Sequence, residues 1–425
     1  MRPVKSTPAH QTDKLAELVC SNSLKSESEN TAPWLLKEEM RRAGSLLLQM
    51  ARESSVPAGH ALAVDREAFA AKVTEAIAAE TKIKIVREEV TKIAEDDVLT
   101  IVATGPLTSD ALSLEIARLS GSDHLFFYDS ISPIVEADSI DMSKVYMAAR
   151  YGKGTADYIN CPFTKEEYDR FIDALTSAEM VEGHDWENLN YFEGCLPIEE
   201  IARRGRDTLR FGPMKPVGLD DPKTGKWPYA VVQLRQENLR ADSYNLVGFQ
   251  NHLKFGDQSR VLRLIPGLEN ARFLRYGQIH RNTYINAPTL LTETLNLKRH
   301  PNVFFSGQIS GVEGYTESIA MGMLAGINVA QIAQGRAAVP PPRETALGSL
   351  VNYICHAAAK NFQPANITFD LLPQLGEATR RRVRDKKLRH KMVCETALEK
   401  LASWLQDNSR IAANTGRLYE PSIRS

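Results

Sequence analysis

Between residues 35 and 52 the apolar positions Leu36, Met40, Ala43, Leu47 and Met50 recur at helical spacing, which predicts one helix with a core-facing side. A second helix opens at Asp65, a good N-cap, and carries Phe69, Val73, Ala76 and Ile77 on one face. Two runs of strand character follow at 82–87 and 97–103, and then a helix from Thr108 or Ser109 to about Gly121. Helices and strands in this order predict an α/β domain built on a nucleotide-binding sheet. Between about 110 and 295 the texture changes, with HLFFYDS, YAVVQLR, NLVGFQ and RVLRLI as short strand-like runs between Pro and Gly turns. VVQLR and YNLVGFQ read as adjacent strands of a sheet core. The first rhythm returns near 302, so the expected organisation is a discontinuous domain, 1–107 with 296–425, interrupted by an α+β insertion at 108–295. Residues 1–34 are polar and turn-rich except for the helical-looking LAELV at 15–19. The tail from 340 is helical and punctuated by Pro340, Pro341, Pro342 and Pro373, and no internal repeat is present.

The stretch 302–330, NVFFSGQISGVEGYTESIAMGMLAGINVA, joins a buried-strand run, a glycine-rich turn and a small-residue helix. Gly307, Gly311 and Gly314 let backbone approach a ligand where a Cβ would collide, and the helix N-terminus behind them favours a phosphate or an electron-rich ring edge. Gly322 and Gly326, four apart, allow the helix to lie close to a sheet. The pattern reads as half of a nucleotide site; a β-α turn without a ligand would carry the same residues.

Composition narrows the partners only a little. The 425 residues carry a net charge of −1, so any attraction to nucleic acid must be local. MRPVKSTPAHQTDK has no apolar signal region, and the most apolar window, 319–332, is short and broken by glycines and Asn328, which leads us to expect a cytoplasmic protein. Five widely spaced cysteines without a CxxC argue against a disulfide framework and against a zinc site.

Two of those cysteines stand in informative contexts. Cys195, in YFEGCLPIEE, precedes Pro197, which is well placed as the first residue of a helix; a thiol there is either a nucleophile activated by the helix dipole or a small buried hydrophobe. Cys20 ends the apolar turn AELV and enters a polar loop, where a buried thiol is the leading reading. RYGQIHRNTYINAP, at 275–288, packs His280, Arg281, Asn282, Tyr284 and Asn286 together, which suits either a pocket for a polar or anionic ligand or a hydrogen-bonded loop. RRRVRDKKLRHK, at 380–391, sets eight Lys or Arg against one Asp. On a helix these would cover most of the surface and leave Val383 and Leu388 to pack; the run is a solvated face or a phosphate-backbone footprint.

Taken together, ELVCSNSLKSE (18–28), PAGHALAVDR (57–66), IVATGPLTS (101–109), YFEGCLPIE (191–199), KPVGLDDP (215–222), QLRQEN (233–238), NLVGFQNHLKFG (245–256), YGQIHRNTYINAP (276–288) and the glycine stretch (306–328) resemble, in order, the TrmFO family. These are folate- and FAD-dependent tRNA uracil-5-methyltransferases related to the GidA flavoproteins. The resemblance implies a Rossmann-like FAD-binding domain of the GidA and glutathione-reductase type with an inserted α+β domain. It also implies transfer of the methylene of 5,10-methylenetetrahydrofolate, through FAD reduced by NAD(P)H, to C5 of T-loop uridine 54 of tRNA. In that reading Cys195 is the nucleophile that adds to uracil C6, and Cys20 is the second active-site cysteine near the flavin. FAD falls on Thr104, Gly105, Gly307, Gln308, Gly311, Val312, Glu313 and Gly314, and His280 and Arg281 fall in the folate or substrate pocket. Arg380, Arg381, Arg382, Arg384, Lys386, Lys387, Arg389 and Lys391 become part of a tRNA surface.

One departure stands out. The family begins with a strand, a GxGxxG turn, a helix and a second strand ending in Glu, whereas no GxGxxG occurs in this chain; Gly152-Lys153-Gly154 lacks the third glycine and a preceding strand. The resemblance therefore implies an N-terminally truncated version of the domain, short of a βα unit and strand of about 30 to 35 residues. A start codon assigned too late is the favoured explanation over a truncated descendant, and an in-frame GxGxxG in the upstream DNA would decide between them. The alternatives to the methyltransferase are a GidA-like flavoprotein acting on another tRNA uridine, against which FEGC at 192–195 speaks, and a non-catalytic tRNA-binding remnant.

Overall fold

The computed structural model describes residues 9–94, 97–121, 125–181 and 196–408, with backbone alone at 125–130, 279–281 and 361. Its contacts divide the chain into two discontinuous units: Met1–Ser23, Met50–Glu88 and Phe126–Asn282 in one, Leu24–Gln49, Glu89–Leu125 and Thr283–Ser425 in the other. These boundaries differ from those expected at 107/108 and 295/296. Residues 50–88 cluster with the α+β part, and the helix Asp110–Ser120 clusters with the glycine-rich part.

The first unit is organised by a six-stranded antiparallel sheet in the order Phe273–Arg275, Ile134–Glu136, Ser243–Leu246, Ala230–Gln236, Tyr158–Phe163 and Tyr146–Ala148. The strand Ala230–Gln236 is central and buried on both faces, so its sequence reads as a continuous run. Arg235 pairs with Asn245 and Leu234 with Leu246, which bears out the neighbouring strands expected from VVQLR and YNLVGFQ. Tyr168, Phe171, Ile172 and Leu175 of the helix Lys165–Thr176 pack on this sheet, Phe171 edge-on to Phe163 with ring centroids 5.7 Å apart. That helix starts at a capping box between Thr164 and Glu167. The helix Arg66–Ala79 opens as expected at Asp65, whose carboxylate accepts the Ala68 N–H at 2.9 Å.

Three local expectations are corrected in or beside this unit. RVLRLI is not a strand: its first three residues end the helix Phe255–Leu262, and a short apolar run has no period to tell the two apart. Residues 82–87 form no strand, and Ile83 and Val86 stay 46% and 56% exposed, because alternation without a hydrogen-bonded neighbour is not enough. LAELV forms no helix, and Ala16 within it takes a left-handed φ of 54°.

The second unit contains a parallel pair, Thr100–Val102 beside Val303–Phe305 in the register Thr100↔Val303, Ile101↔Phe304 and Val102↔Phe305. Helices Asp110–Ser120 and Tyr315–Ala333 follow the two strands, the first between the Ser109 N-cap and a left-handed Gly121. The helix expected over 35–52 is two, Ala32–Arg42 and Leu46–Glu53, broken where Gly44 takes φ +77°. Gly322 faces the strand, its ideal Cβ lying 3.7 Å from Ser306 Oγ, whereas Gly326 has nothing within 4 Å. Only the first of the two serves close packing. Buried Glu39 receives the N–H groups of Ala346 and Leu347 at 2.7 and 2.9 Å and so caps the helix Ala346–His356. Burial pushes its carboxyl up to about 8 against the pull of those two bonds.

Candidate functional site

The parallel pair sets two turns side by side. Ser306 N–H donates to Val102 O at 3.0 Å, so Thr104-Gly105 and Gly307-Gln308 leave the carboxyl ends of neighbouring strands at the same level. Gly105 and Gly307 take φ +69° and +74°. An added Cβ would meet nothing within 4 Å at Gly105 and only the Ser318 side chain, at 3.7 Å, at Gly307. Gly311 and Gly314 behave differently from the expectation that all these glycines clear space for a ligand. A Cβ on Gly311 would lie 2.3 Å from Phe362 Cζ, and one on Gly314 2.7 Å from Glu317 Oε2 and 2.8 Å from Lys25 Nζ. These two are glycine because the protein itself fills the space.

The turn between them is tied down from within. Gln308 Nε2 donates to Glu313 Oε2 at 2.6 Å, Glu313 N–H donates to Ala365 O at 2.9 Å, and Val312 is fully buried beside Ala365. At its end Glu317, buried in the first turn of Tyr315–Ala333, accepts from Lys25 Nζ at 2.5 Å and Ile367 N–H at 3.0 Å. Lys25 also reaches Asn366 at 2.6 Å from a left-handed backbone, φ +64°, a conformation a lysine rarely adopts. On the other turn Thr104 and Thr108 share a 2.7 Å hydroxyl contact. The end of the strand Ile279–Tyr284 and the residue after it stitch both turns together, Thr283 N–H to Pro106 O and Ile285 N–H to Ile309 O, each at 3.0 Å. His280 and Arg281 lie on that strand, at positions where the backbone alone is described. Ser306 Oγ is buried and has no hydrogen-bond partner among the described residues. Two open glycine turns, an orphaned hydroxyl and two helix starts beyond parallel strands are the parts a phosphate-bearing cofactor needs, so these residues fit FAD.

In the first unit, Cys20 is partly exposed rather than buried, and it lies in no helical turn. It contrasts with Cys161, Cys355 and Cys394, which are buried; burial pushes the last two thiols up to about 12 and the first higher still, which makes them poor nucleophiles. Around Cys20 lies a buried polar network that sequence reasoning missed. Asn22, Arg235, Glu237 and Asn245 are all at most 8% exposed. Arg235 donates to Asn22 Oδ1 and Ser21 Oγ at 2.9 Å each, and Arg66 Nε donates to Glu237 at 2.6 Å. Burial alone would raise the Glu237 carboxyl; the adjacent Arg66 guanidinium and the Asn245 amide hold it below its ordinary value instead. The available signal was the polar triplet Arg235-Gln236-Glu237 at the end of an otherwise apolar strand.

Cys195 lies outside the described residues. Just after it, Pro197 is the N-cap of the short helix Ile198–Arg203, one position earlier than expected. Glu199 in that helix is fully buried and pairs with His252, Nδ1 to Oε1 at 2.6 Å and His252 N–H to the same oxygen at 2.8 Å. The YFEGCLPIE and NLVGFQNHLKFG motifs thus meet through one dyad.

The basic run is not one helix. It divides between Glu377–Arg382 and Lys386–Asp407, with Asp385 capping the second by accepting the Lys387 N–H at 2.8 Å. Arg380, Arg381, Arg382, Arg384, Lys386, Lys387 and Lys391 are exposed and Arg389 is half-buried; Leu388 is 46% exposed and does not pack as expected. His390 stacks on Phe369 with ring centroids 3.8 Å apart. Its pKa is held down by partial burial and by Lys386 and Arg389.

No helix among the described residues is long and apolar enough to cross a membrane. The model of a family described as glucose inhibited division protein A matches residues 4–337. A Koribacter versatilis protein named methylenetetrahydrofolate–tRNA-(uracil-5-)-methyltransferase TrmFO is 79% identical over 405 residues, covering 95% of this chain and 91% of that protein. Proteins of the same name from Solibacter usitatus and Halalkalibacterium halodurans are 66% and 54% identical, each over 92% of their own length and over 95% and 96% of this chain. Among solved structures, Aquifex aeolicus GidA is similar in two crystal forms. Form I has a TM-score of 0.64 at 17% identity, covering 91% of this chain and 70% of that one, and form II has 0.63 at 14%, covering 94% and 70%. At that identity the likeness speaks for the fold alone, a GidA-type Rossmann architecture. The chain belongs to the glucose inhibited division protein A family and, within it, to the TrmFO group.

Proposed function

We propose that this protein is a methylenetetrahydrofolate–tRNA-(uracil-5-)-methyltransferase acting on the T-loop uridine 54 of tRNA, with FAD as cofactor and NAD(P)H as reductant. The observation that carries the reading is 79% identity, over 95% of the chain, to a protein of that name. FAD, when bound, supplies the methylene carbon taken from the folate and the reducing equivalents taken from NAD(P)H. The chain's residues do the rest. Gly105 and Gly307 offer open backbone to the cofactor, Thr104, Gln308, Val312 and Glu313 shape the turns, and Gly311 and Gly314 keep them compact. Cys195 adds its thiolate to C6 of the uracil ring and makes C5 nucleophilic; when the C5 proton leaves to a base, the C6–S bond breaks and the thiolate is returned. Cys20 acts as the second thiol of the site, and His280 and Arg281 belong to the folate or substrate pocket. The exposed arginines and lysines of 380–391 neutralise tRNA phosphates. The part of the chain holding the parallel strands and the basic tail serves as the cofactor-binding domain, and the protein works in the cytoplasm, where its tRNA is.

The test supplies the purified chain with FAD, NADPH, 5,10-methylenetetrahydrofolate and tRNA lacking the T-loop methyl group. The wild-type chain is expected to form 5-methyluridine, and Cys195→Ala to form none while keeping the flavin absorbance of the wild type. Full activity in Cys195→Ala would remove that residue as the nucleophile.

A further inference from the structure

Residues 18–22 belong to no helix or strand before Ser23, yet every one of them is held by a side chain from elsewhere in the first unit. Three consecutive carbonyls meet two guanidinium groups. Arg66 Nη1 donates to Leu18 O at 2.7 Å and Nη2 to Cys20 O at 3.2 Å; Arg275 Nη2 donates to Val19 O at 3.0 Å and to Cys20 O at 3.5 Å. Arg235 continues the series on Ser21 Oγ and Asn22 Oδ1, and Asn22 Nδ2 donates to Gln236 O at 2.9 Å and Val64 O at 3.1 Å. The three arginines start a helix, stand one residue before the end of the central strand and end an edge strand, so the clamp draws on rigid elements. Glu237 closes it by accepting Arg66 Nε at 2.6 Å and Nη2 at 3.2 Å.

We propose that Arg66 and Arg275 are positioning residues for Cys20, holding its backbone so that the thiol is presented from one fixed place. The inference rests on the reading above that Cys20 works in the reaction. Main-chain carbonyls in a loop need no arginine where water is available, and a planar guanidinium shared among several acceptors cannot swing without breaking several bonds at once. Lysine, with a point charge on a flexible stem, cannot reproduce two bonds in fixed directions. A reacting group has to be held to within about 0.5 Å, and a segment outside any helix or strand does not supply that alone.

The test alkylates the full chain with iodoacetamide under native conditions and follows each cysteine by mass spectrometry. In Arg66→Gln and Arg275→Gln, Cys20 is expected to react about tenfold faster as its loop opens locally, while Cys161, Cys355 and Cys394 stay protected. In the methyl-transfer assay, kcat is expected to fall about 10- to 100-fold with KM for tRNA unchanged, and Arg275→Lys to recover part of both effects. If Arg66→Gln fails to fold because Glu237 is left unpaired, the double variant Arg66→Gln/Glu237→Gln removes that charge and carries the same expectation. An unchanged Cys20 rate overturns the proposal, and so does a rise at all four cysteines together, which would make the arginines stability residues. Faster Cys20 alkylation in a chain that transfers no methyl group supports the clamp and overturns the functional reading instead.

Discussion

The glycine turns of the second unit and the Cys20 segment of the first solve the same problem, holding irregular backbone in one conformation, by different means. The turns take their shape locally, from positive φ at Gly105 and Gly307, a Gln308–Glu313 bridge across five residues and helices that begin where the turns end, and main-chain bonds with Thr283, Ile285 and Ala365 brace them. The Cys20 segment is held from far away in sequence, by arginines about 46, 214 and 255 positions distant. Local holding leaves the backbone open for a ligand to approach. Distant holding uses buried charge, which has to stay fully paired to be tolerated.

The largest effect that could break this contrast lies in the distant clamp. Glu237→Ala leaves the mostly buried Arg66 guanidinium without its carboxylate and is expected to lower stability by about 3 kcal/mol, read by urea denaturation. The wild type should show the matching pH dependence. Because the folded carboxyl lies below its ordinary value of 4.5, its contribution is present above that value and is lost as pH falls through the folded pKa; Glu237→Gln should flatten that acid limb. Next comes Gly311→Ala, which adds a Cβ 2.3 Å from Phe362 Cζ at φ +94° and should cost about 2 to 3 kcal/mol. Gly307→Ala meets no clash but takes φ +74°, ψ −156°, a conformation essentially reserved for glycine, at about 1 to 3 kcal/mol, and should weaken FAD binding more than Gly311→Ala does per unit of lost stability, as read by flavin fluorescence. Equal flavin loss in both would mean that Gly307 is structural as well. The smallest effect belongs to the basic surface: Arg384→Ala should leave the melting temperature unchanged and reduce the slope of log affinity for tRNA against log salt by about one.

The same contrast explains what could be read in advance. The strand at 303–305, its glycine turn and the Asp65 and Ser109 caps were legible because their causes lie within a few residues of each other. The clamp was not: nothing near Cys20 in sequence announces that Arg66, Arg235 and Arg275 converge on it, and Arg235 read as sheet core. Even within the glycine stretch, the residue type named the conformation without naming its reason. Gly311 clears space for Phe362 and Gly314 for Lys25 and Glu317, while Gly307 leaves its space open. The exposed alternation at 82–87 misled in the reverse direction, since a strand needs a partner as well as a pattern.

The most direct test of the central claim follows one carbon. The chain, loaded with FAD, is given NADPH, unmethylated tRNA and 5,10-methylenetetrahydrofolate labelled in its methylene carbon, and the digested tRNA is analysed nucleoside by nucleoside. The account predicts label in 5-methyluridine of the T loop, and none there when the label is carried by S-adenosylmethionine instead. Label at a different uridine, or a T-loop methyl group drawn from S-adenosylmethionine, would contradict it.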